Sequence, residues 1–534
     1  MKLAVTMLMM LVLAAGPLYA QNPDQPPPTP EQEQPEVLTS GPVHEAFAEP
    51  VNLEPQAGLV VSEEPPAQVQ ELPPDEKPSG SQFVWVPGYW AWDASRQGYI
   101  WVSACWRAAP PKTYWVPGYW ARVPEGWEWI PGFWAPVGNQ KIDYLPAPPA
   151  LESVDAPGPP PSPDDIWAPP CRYWYDGRYI LRPGYWVHGQ PDWVWVPSHY
   201  TWTPRGYVFV PGHWDYALER RGVLFAPVFF PRHIHARPGF SYRLSIAVDL
   251  GLLRVNLFTY PRYSHYCFGD WYDDAYLRIG IYPRWESERI RVCYDPIYRY
   301  DRWQHLKTEP HWVENERHQY DLRRADKDLR PPRTYHEMEI REAKLPELQR
   351  RNLQVAQPLN RVIARKATPL KFEPVSSSEQ KKITRQATDV RKFGAQRTRW
   401  ESPAVSRRTV PPLAERKEIA KPPAEHKEPA AGPAERKAPT GPPVASTPTE
   451  RKAAGPAPVE HAPPFVSPRE LKVTKPETVR IPRPPIIGKA VTESKREVGT
   501  PPKPTEEQRQ SPRDLKGRAT DKNKNKGKDE ERAR

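Results

Sequence analysis

Cysteine is scarce in this chain: Cys105, Cys171, Cys267 and Cys293 are the only four among 534 residues. So few thiols exclude a disulfide-dense scaffold, and their spacing does not match the paired ligands of a zinc site. Long hydrophobic runs are lacking as well. The apolar stretch from Leu3 to Ala15 stops at Gly16-Pro17, short of the roughly 20 residues that a membrane-spanning helix needs. Preceded by Lys2 and followed by Leu18-Tyr19-Ala20, it reads as a secretory signal over residues 1–20, and no transmembrane helix is expected in the mature chain. A phosphate loop, a dinucleotide fingerprint and a nucleophile elbow are missing too. His233-Ile234-His235, with His265 as a third imidazole, is the one metal-like arrangement, and it reads as two surface or ring-stacked histidines on a strand. Neither a metal nor a cofactor is expected.

Tryptophan and proline are plentiful by contrast, 22 and 74 residues, and 21 of the tryptophans fall between Trp85 and Trp312. They recur in an eight-residue phrase, aromatic-x-Trp-x-Pro-Gly-aromatic-Trp, at 83–90, 113–120, 127–134 and 207–214, with weaker copies at 99–106, 179–186 and 193–200. The regular step makes an internal repeat. Between phrases, Pro124 with Gly126 and Pro204 with Gly206 suit hairpin turns, because Pro presets the first central φ and Gly accepts a positive one. The Pro-Gly inside the phrase has two readings: a second tight turn, pairing Trp85 with Trp90 and requiring positive φ at Gly88, or a kink in a longer strand. Either way Trp85, Trp90, Trp115, Trp120, Trp129, Trp134, Trp186, Trp195 and Trp214 gather on one face of an antiparallel meander, with Gly88, Gly118, Gly132, Gly184 and Gly212 at the bends. These rings either stack on one another, making a core for strands too short to have one, or offer flat faces to sugar rings.

The Trp-x-x-Gly-x-Trp core, present at Trp85, Gly88 and Trp90, at Trp115, Gly118 and Trp120, and at Trp129, Gly132 and Trp134, resembles the YXWGXW (WXXGXW) repeat family of secreted bacterial proteins. The leading Tyr of that pattern is replaced by Phe83, Thr113 and Trp127, and Leu181 and Phe209 stand for Trp in two further copies. The resemblance implies a secreted, repeat-built β protein and supplies no catalytic residues.

Composition divides the rest of the chain. Residues 21–80 hold 12 Asp or Glu against Lys77 alone and are expected to be a disordered acidic leader, with too little apolar surface to offset chain entropy. The repeats occupy 81–145 and 171–221, on either side of a Pro-rich bridge at 146–170. Residues 222–310 read as a β-rich domain, with alternating apolar and polar side chains at 254–258 and 289–293. In an oxidising compartment Cys267 and Cys293 are the most natural disulfide pair there. Residues 311–400 are charged and lean to helix, with Ser376 to Glu379 as a capping box. Residues 401–534 carry 29 Lys or Arg against 19 Asp or Glu and read as a disordered, basic, Pro-rich tail. The expected fold is mainly β: an antiparallel aromatic repeat meander and a β-rich segment, flanked by long disordered Pro-rich tails with short helices.

Two function classes fit. In the first, the protein is a non-enzymatic structural or binding protein of the periplasm, cell surface or extracellular space. Its basic tail is drawn to acidic cell-wall polymers or polysaccharide, or to other envelope proteins. In the second, it is a secreted hydrolase with a site in residues 222–304, where Asp270, Asp273 and Asp274 surround Trp271. Tyr298-Arg299-Tyr300-Asp301-Arg302-Trp303 interleaves aromatics with cations as nucleic-acid binders do, but secretion argues against that partner. The non-enzymatic class is the expectation.

Overall fold

Copies of the phrase fold in pairs. In the computed structural model, which describes residues 34–138, 141–235, 237–365, 368–402 and 475–488, strands Phe83–Val86 and Tyr89–Asp93 flank Pro87-Gly88, and Gly98–Val102 and Cys105–Ala108 return on either side of Ser103-Ala104. The inner strands form a hairpin with Trp90 opposite Trp101, and the outer strands pair beyond the kink with Trp85 opposite Trp106. The product is an antiparallel ribbon bent at mid-length on both arms. A second ribbon pairs Thr113–Val116 with Phe133–Pro136 and Tyr119–Val123 with Gly126–Ile130. A third pairs Asp165–Ala168 with Tyr185–His188 and Cys171–Tyr175 with Arg178–Arg182. The fourth pairs Trp193–Val196 with His213–Tyr216 and His199–Thr203 with Gly206–Val210.

The internal Pro-Gly is therefore a kink and not a tight turn, and Trp85 does not pair with Trp90. Proline has no N–H to give a ladder, so the pairing breaks there and resumes in a separate sheet. Nor does Gly88 have positive φ, which among the described residues is found at other glycines and at six non-glycine residues, Asp176 included. The hairpin ends do use it: Gly126 and Gly206 have φ of +142° and +152°, and Asp176-Gly177 turns the third ribbon at +50° and +77°.

Four expectations about boundaries are corrected. Residues 165–170, assigned to the Pro-rich bridge, form the first arm and kink of the third ribbon, with Trp167 opposite Trp186. Residues 34–80, assigned to a disordered leader, are built into the fold. Short strands of this segment join the edges of other elements, as with Gly41–Pro42 beside His265–Phe268, Val60–Val61 beside Gly126–Ile130 and Gln70–Leu72 beside Ser241–Arg243. The leader has too few apolar residues for a core of its own, but Val43, Phe47 and Val69 are buried in clusters that hold the repeat aromatics. Within the basic tail, Glu477–Arg480 pairs with Lys141–Leu145. The expectations for residues 1–33, 403–474 and 489–534, the signal among them, lie outside the described residues.

The fourth correction concerns residues 222–310, which mix helix with strand. Asp249 accepts a hydrogen bond from Leu252 N and starts helix Leu250–Val255 where alternation suggested a strand; 289–293 likewise begins at the end of helix Arg284–Arg289. Strands Leu257–Tyr260 and His265–Phe268 centre an antiparallel sheet beside these helices. The capping box holds: the Ser376 side chain accepts from Glu379 N and opens helix Ser377–Glu401, which runs past Phe393. The architecture is mainly β, with antiparallel hairpins at its centre.

Candidate functional site

The ribbon geometry explains the spacing of the phrase. In the first and second ribbons the first Trp of one copy lies opposite the second Trp of the other, on both the outer and inner strands. Six indole pairs result: Trp85 with Trp106, Trp90 with Trp101, Trp115 with Trp134, Trp120 with Trp129, Trp167 with Trp186 and Trp195 with Trp214. Their ring centroids are 5.0–5.5 Å apart and most are edge to face, the arrangement the ring quadrupole favours. Trp85, Trp90, Trp115, Trp129, Trp134, Trp195 and Trp214 are buried, and Trp120 and Trp186 are half-buried.

The glycine is needed because the first Trp of one copy lies over the kink of its partner copy. A Cβ on Gly118 would stand 2.5 Å from Trp129 Cζ2, on Gly132 2.5 Å from Trp115 Cζ2, on Gly184 2.2 Å from Trp167 Cζ2 and on Gly212 2.8 Å from Trp195 Cζ2. At Gly88 it would meet the Val102 carbonyl at 2.3 Å. Gly118→Ala is therefore expected to cost about 1–3 kcal/mol by overpacking. Gly98→Ala, whose Cβ would approach nothing nearer than 3.8 Å, should be close to neutral. Urea midpoints of the two variants check the contrast; equal midpoints would contradict it.

Two acids from the leader hold the kinks. Glu45 Oε1 accepts from Gly118 N and Oε2 from Gly132 N, each at 2.9 Å, so one carboxylate ties both arms of the second ribbon. Glu71 serves the first ribbon in the same way, taking Gly88 N at 2.8 Å, Ala104 N at 2.7 Å and Trp101 Nε1 at 2.8 Å. From more than 260 residues further along the chain, Arg397 Nη1 donates to the kink carbonyls of Pro117 and Pro131 at 2.9 and 2.7 Å. A serine, Ser198, accepts from Gly212 N in the fourth ribbon. Arg107 reaches across to Asp215, which Arg221 also pairs.

Burial of these groups makes stability depend on pH. Burial pushes Glu45 up to about 7, against the hydrogen bonds it accepts from Gly132 and Gly118. Burial also pushes His44, His199 and His265 down to about 4. The unfolded chain binds more protons at the histidines below about pH 6.5, so their contribution is lost as pH falls from there towards 4. Glu45 works the other way: its contribution is complete below about pH 4.5 and is lost as pH rises through 7. Glu45→Gln should thus steepen the acid-side loss by about 1.4 kcal/mol per pH unit between pH 4.5 and 6.5. Urea titrations of the variant and the parent that run parallel over that window would contradict this.

Other candidates from the sequence are dispersed, and of these His265 adjoins the first ribbon's kink through Tyr89. Cys267 and Cys293, expected to bridge, are free buried thiols on strands that pair with different partners. His235 ends a short helix, Arg232–His235, instead of a strand, and His265 is buried with Nε2 2.7 Å from the Tyr89 hydroxyl. Asp270 pairs with Arg330 and Arg333, and Asp273 with Arg330. Tyr298, Tyr300 and Trp303 are buried on helix Pro296–His305, so the aromatic-cationic run does not present its rings to solvent. Glu45, Glu71 and Arg397 were not legible as special among so many charges.

The aromatic surface left open lies elsewhere. A cleft of about 680 Å³ separates the second, third and fourth ribbons, with Tyr173, Trp174, Tyr185 and Phe209 on its walls, all half-buried. Arg182 stacks over Tyr185 at 4.6 Å and donates to the Tyr173 hydroxyl at 3.3 Å, and that hydroxyl lies 3.0 Å from Ser198 Oγ.

Residues 80–107, 114–135 and 191–214 match the model of the WXXGXW repeat family, which is described as two copies of the repeat. The three matches fall on the first, second and fourth ribbons, so the two-copy unit is one bent ribbon. The chain carries WXXGXW repeats across residues 80–214. No curated protein and no solved structure matches the chain. Among the described residues no helix is long and apolar enough to cross a membrane.

Proposed function

We propose that this is a non-enzymatic structural and binding protein, secreted or held in the cell envelope, in which the WXXGXW ribbons are scaffold and the basic C-terminal residues attract it to acidic envelope polymers. The observation that carries the reading is the use of the repeat indoles. They pair with one another and cover the partner kinks, and their burial supports a rigid platform over a row of sugar-stacking faces. Attraction to the envelope rests on charge. Beyond Gly488 the chain has 14 Lys or Arg against 9 Asp or Glu, outside the segment that pairs with Lys141–Leu145.

The test is retention of the full chain on insoluble cell-wall material, compared with a chain ending at Gly488. Electrostatic retention should fade as the Debye length falls from about 10 Å at 0.1 M salt to about 3 Å at 1 M, and it should be weaker for the shortened chain. If the full chain is not retained at low salt, the reading is wrong.

A further inference from the structure

We infer that the cleft between the second, third and fourth ribbons is a binding site for a polysaccharide chain of pyranose rings. The inference gives a ligand class to the binding role proposed above. A pyranose has apolar C–H faces and a rim of hydroxyls, and the cleft alternates in the same sense. Trp174, Tyr185 and Phe209 supply ring surface, while Arg182, the Tyr173 hydroxyl and Ser198 Oγ place polar groups between the rings. At about 680 Å³ the cleft has the size of a ligand site, with room for a short oligosaccharide.

The polar groups are also held in place before any ligand arrives. Ser198 Oγ takes the kink N–H of Gly212 at 2.8 Å and lies 3.0 Å from the Tyr173 hydroxyl, to which Arg182 donates. The guanidinium is itself sandwiched against Tyr185 at 4.6 Å and lies 5.8 Å from the Tyr173 ring centre. Walls anchored on three kinked ribbons lose little freedom on binding, which favours a preorganised site. Of the tryptophans fixed in pairs, Trp195 lines the cleft but is only 5% exposed; Trp174, on the inner strand of the third ribbon, is outside those six pairs and half-buried.

The experiment is titration of the full chain with cellohexaose, chitohexaose and hexagalacturonate, followed by calorimetry and tryptophan fluorescence. Binding of at least one of the three is expected, and the three arms separate a neutral, an N-acetylated and an acidic chain. Trp174→Ala and Arg182→Gln should each weaken it about tenfold or more, while Trp285→Ala, a half-buried indole remote from the cleft, should not. Unchanged far-ultraviolet circular dichroism of the variants shows that the fold survives. No binding in any arm, or binding that persists unchanged in both cleft variants, overturns the site. If envelope retention at low salt persists while all three titrations fail, the cleft alone is refuted; if retention also fails, the envelope reading falls with it.

Discussion

Replacing Arg397 with Leu should destabilise the protein by about 3–5 kcal/mol, the cost of leaving one member of a buried ion pair behind. Arg397 is fully buried on helix Ser377–Glu401, and its Nε donates to Glu401 Oε1 at 2.9 Å. The same guanidinium donates to the carbonyls of Pro117 and Pro131 and lies over the rings of Tyr119 and Phe133. Its loss strands the Glu401 carboxylate, which among the described residues keeps the neutral hydroxyl donors of Tyr119 and Tyr144, and leaves both kink carbonyls short of a donor. Adding Glu401→Gln should recover part of the loss, because the remaining charge is then removed. Urea unfolding of the two single variants and the double variant checks this, and simple additivity would show that the pair does not act as a unit.

Trp90→Ala should cost about 3–5 kcal/mol, as for any large buried ring. Trp90 is 1% exposed, meets Trp101 edge to face at 5.2 Å and donates its indole N–H to the Ala67 carbonyl at 2.9 Å. The substitution thus opens a cavity and also frees the leader that is fastened there. The exciton signal of coupled indoles in circular dichroism should fall but persist, since five other pairs remain. A variant with parental stability and an unchanged signal would mean that the pair is not formed.

The spacing of the phrase made the aromatic face legible, because Trp, Gly and Trp recur at fixed offsets in a β context. The pairing of copies was less so. The segment 113–136 is nearly symmetric about Pro124-Glu125, and that symmetry is the mark of a hairpin carrying one copy on each arm. The third ribbon was half hidden because Pro169-Pro170 replaces Pro-Gly and Leu181 replaces Trp. The leader misled for a physical reason: a segment with 12 acids and few apolar residues has no core of its own, yet edge strands need only borrowed partners. Glu45 and Glu71 differ from the other acids only through where they end up, beneath glycine N–H groups 73 and 17 residues later in the chain. Helix Leu250–Val255 shows how a short apolar run escapes a period argument, since Asp249 as a cap decides it.

Peptide-resolved oxidation of tryptophan in the native full chain tests the paired-ribbon scaffold most directly. Trp85, Trp90, Trp115, Trp129 and Trp195, each at most 5% exposed, should resist a water-soluble oxidant until the chain unfolds, while the half-buried Trp174 reacts before they do. Oxidation of those five indoles at the same rate as Trp174 in the folded protein would show that the repeat faces solvent, and would contradict the scaffold.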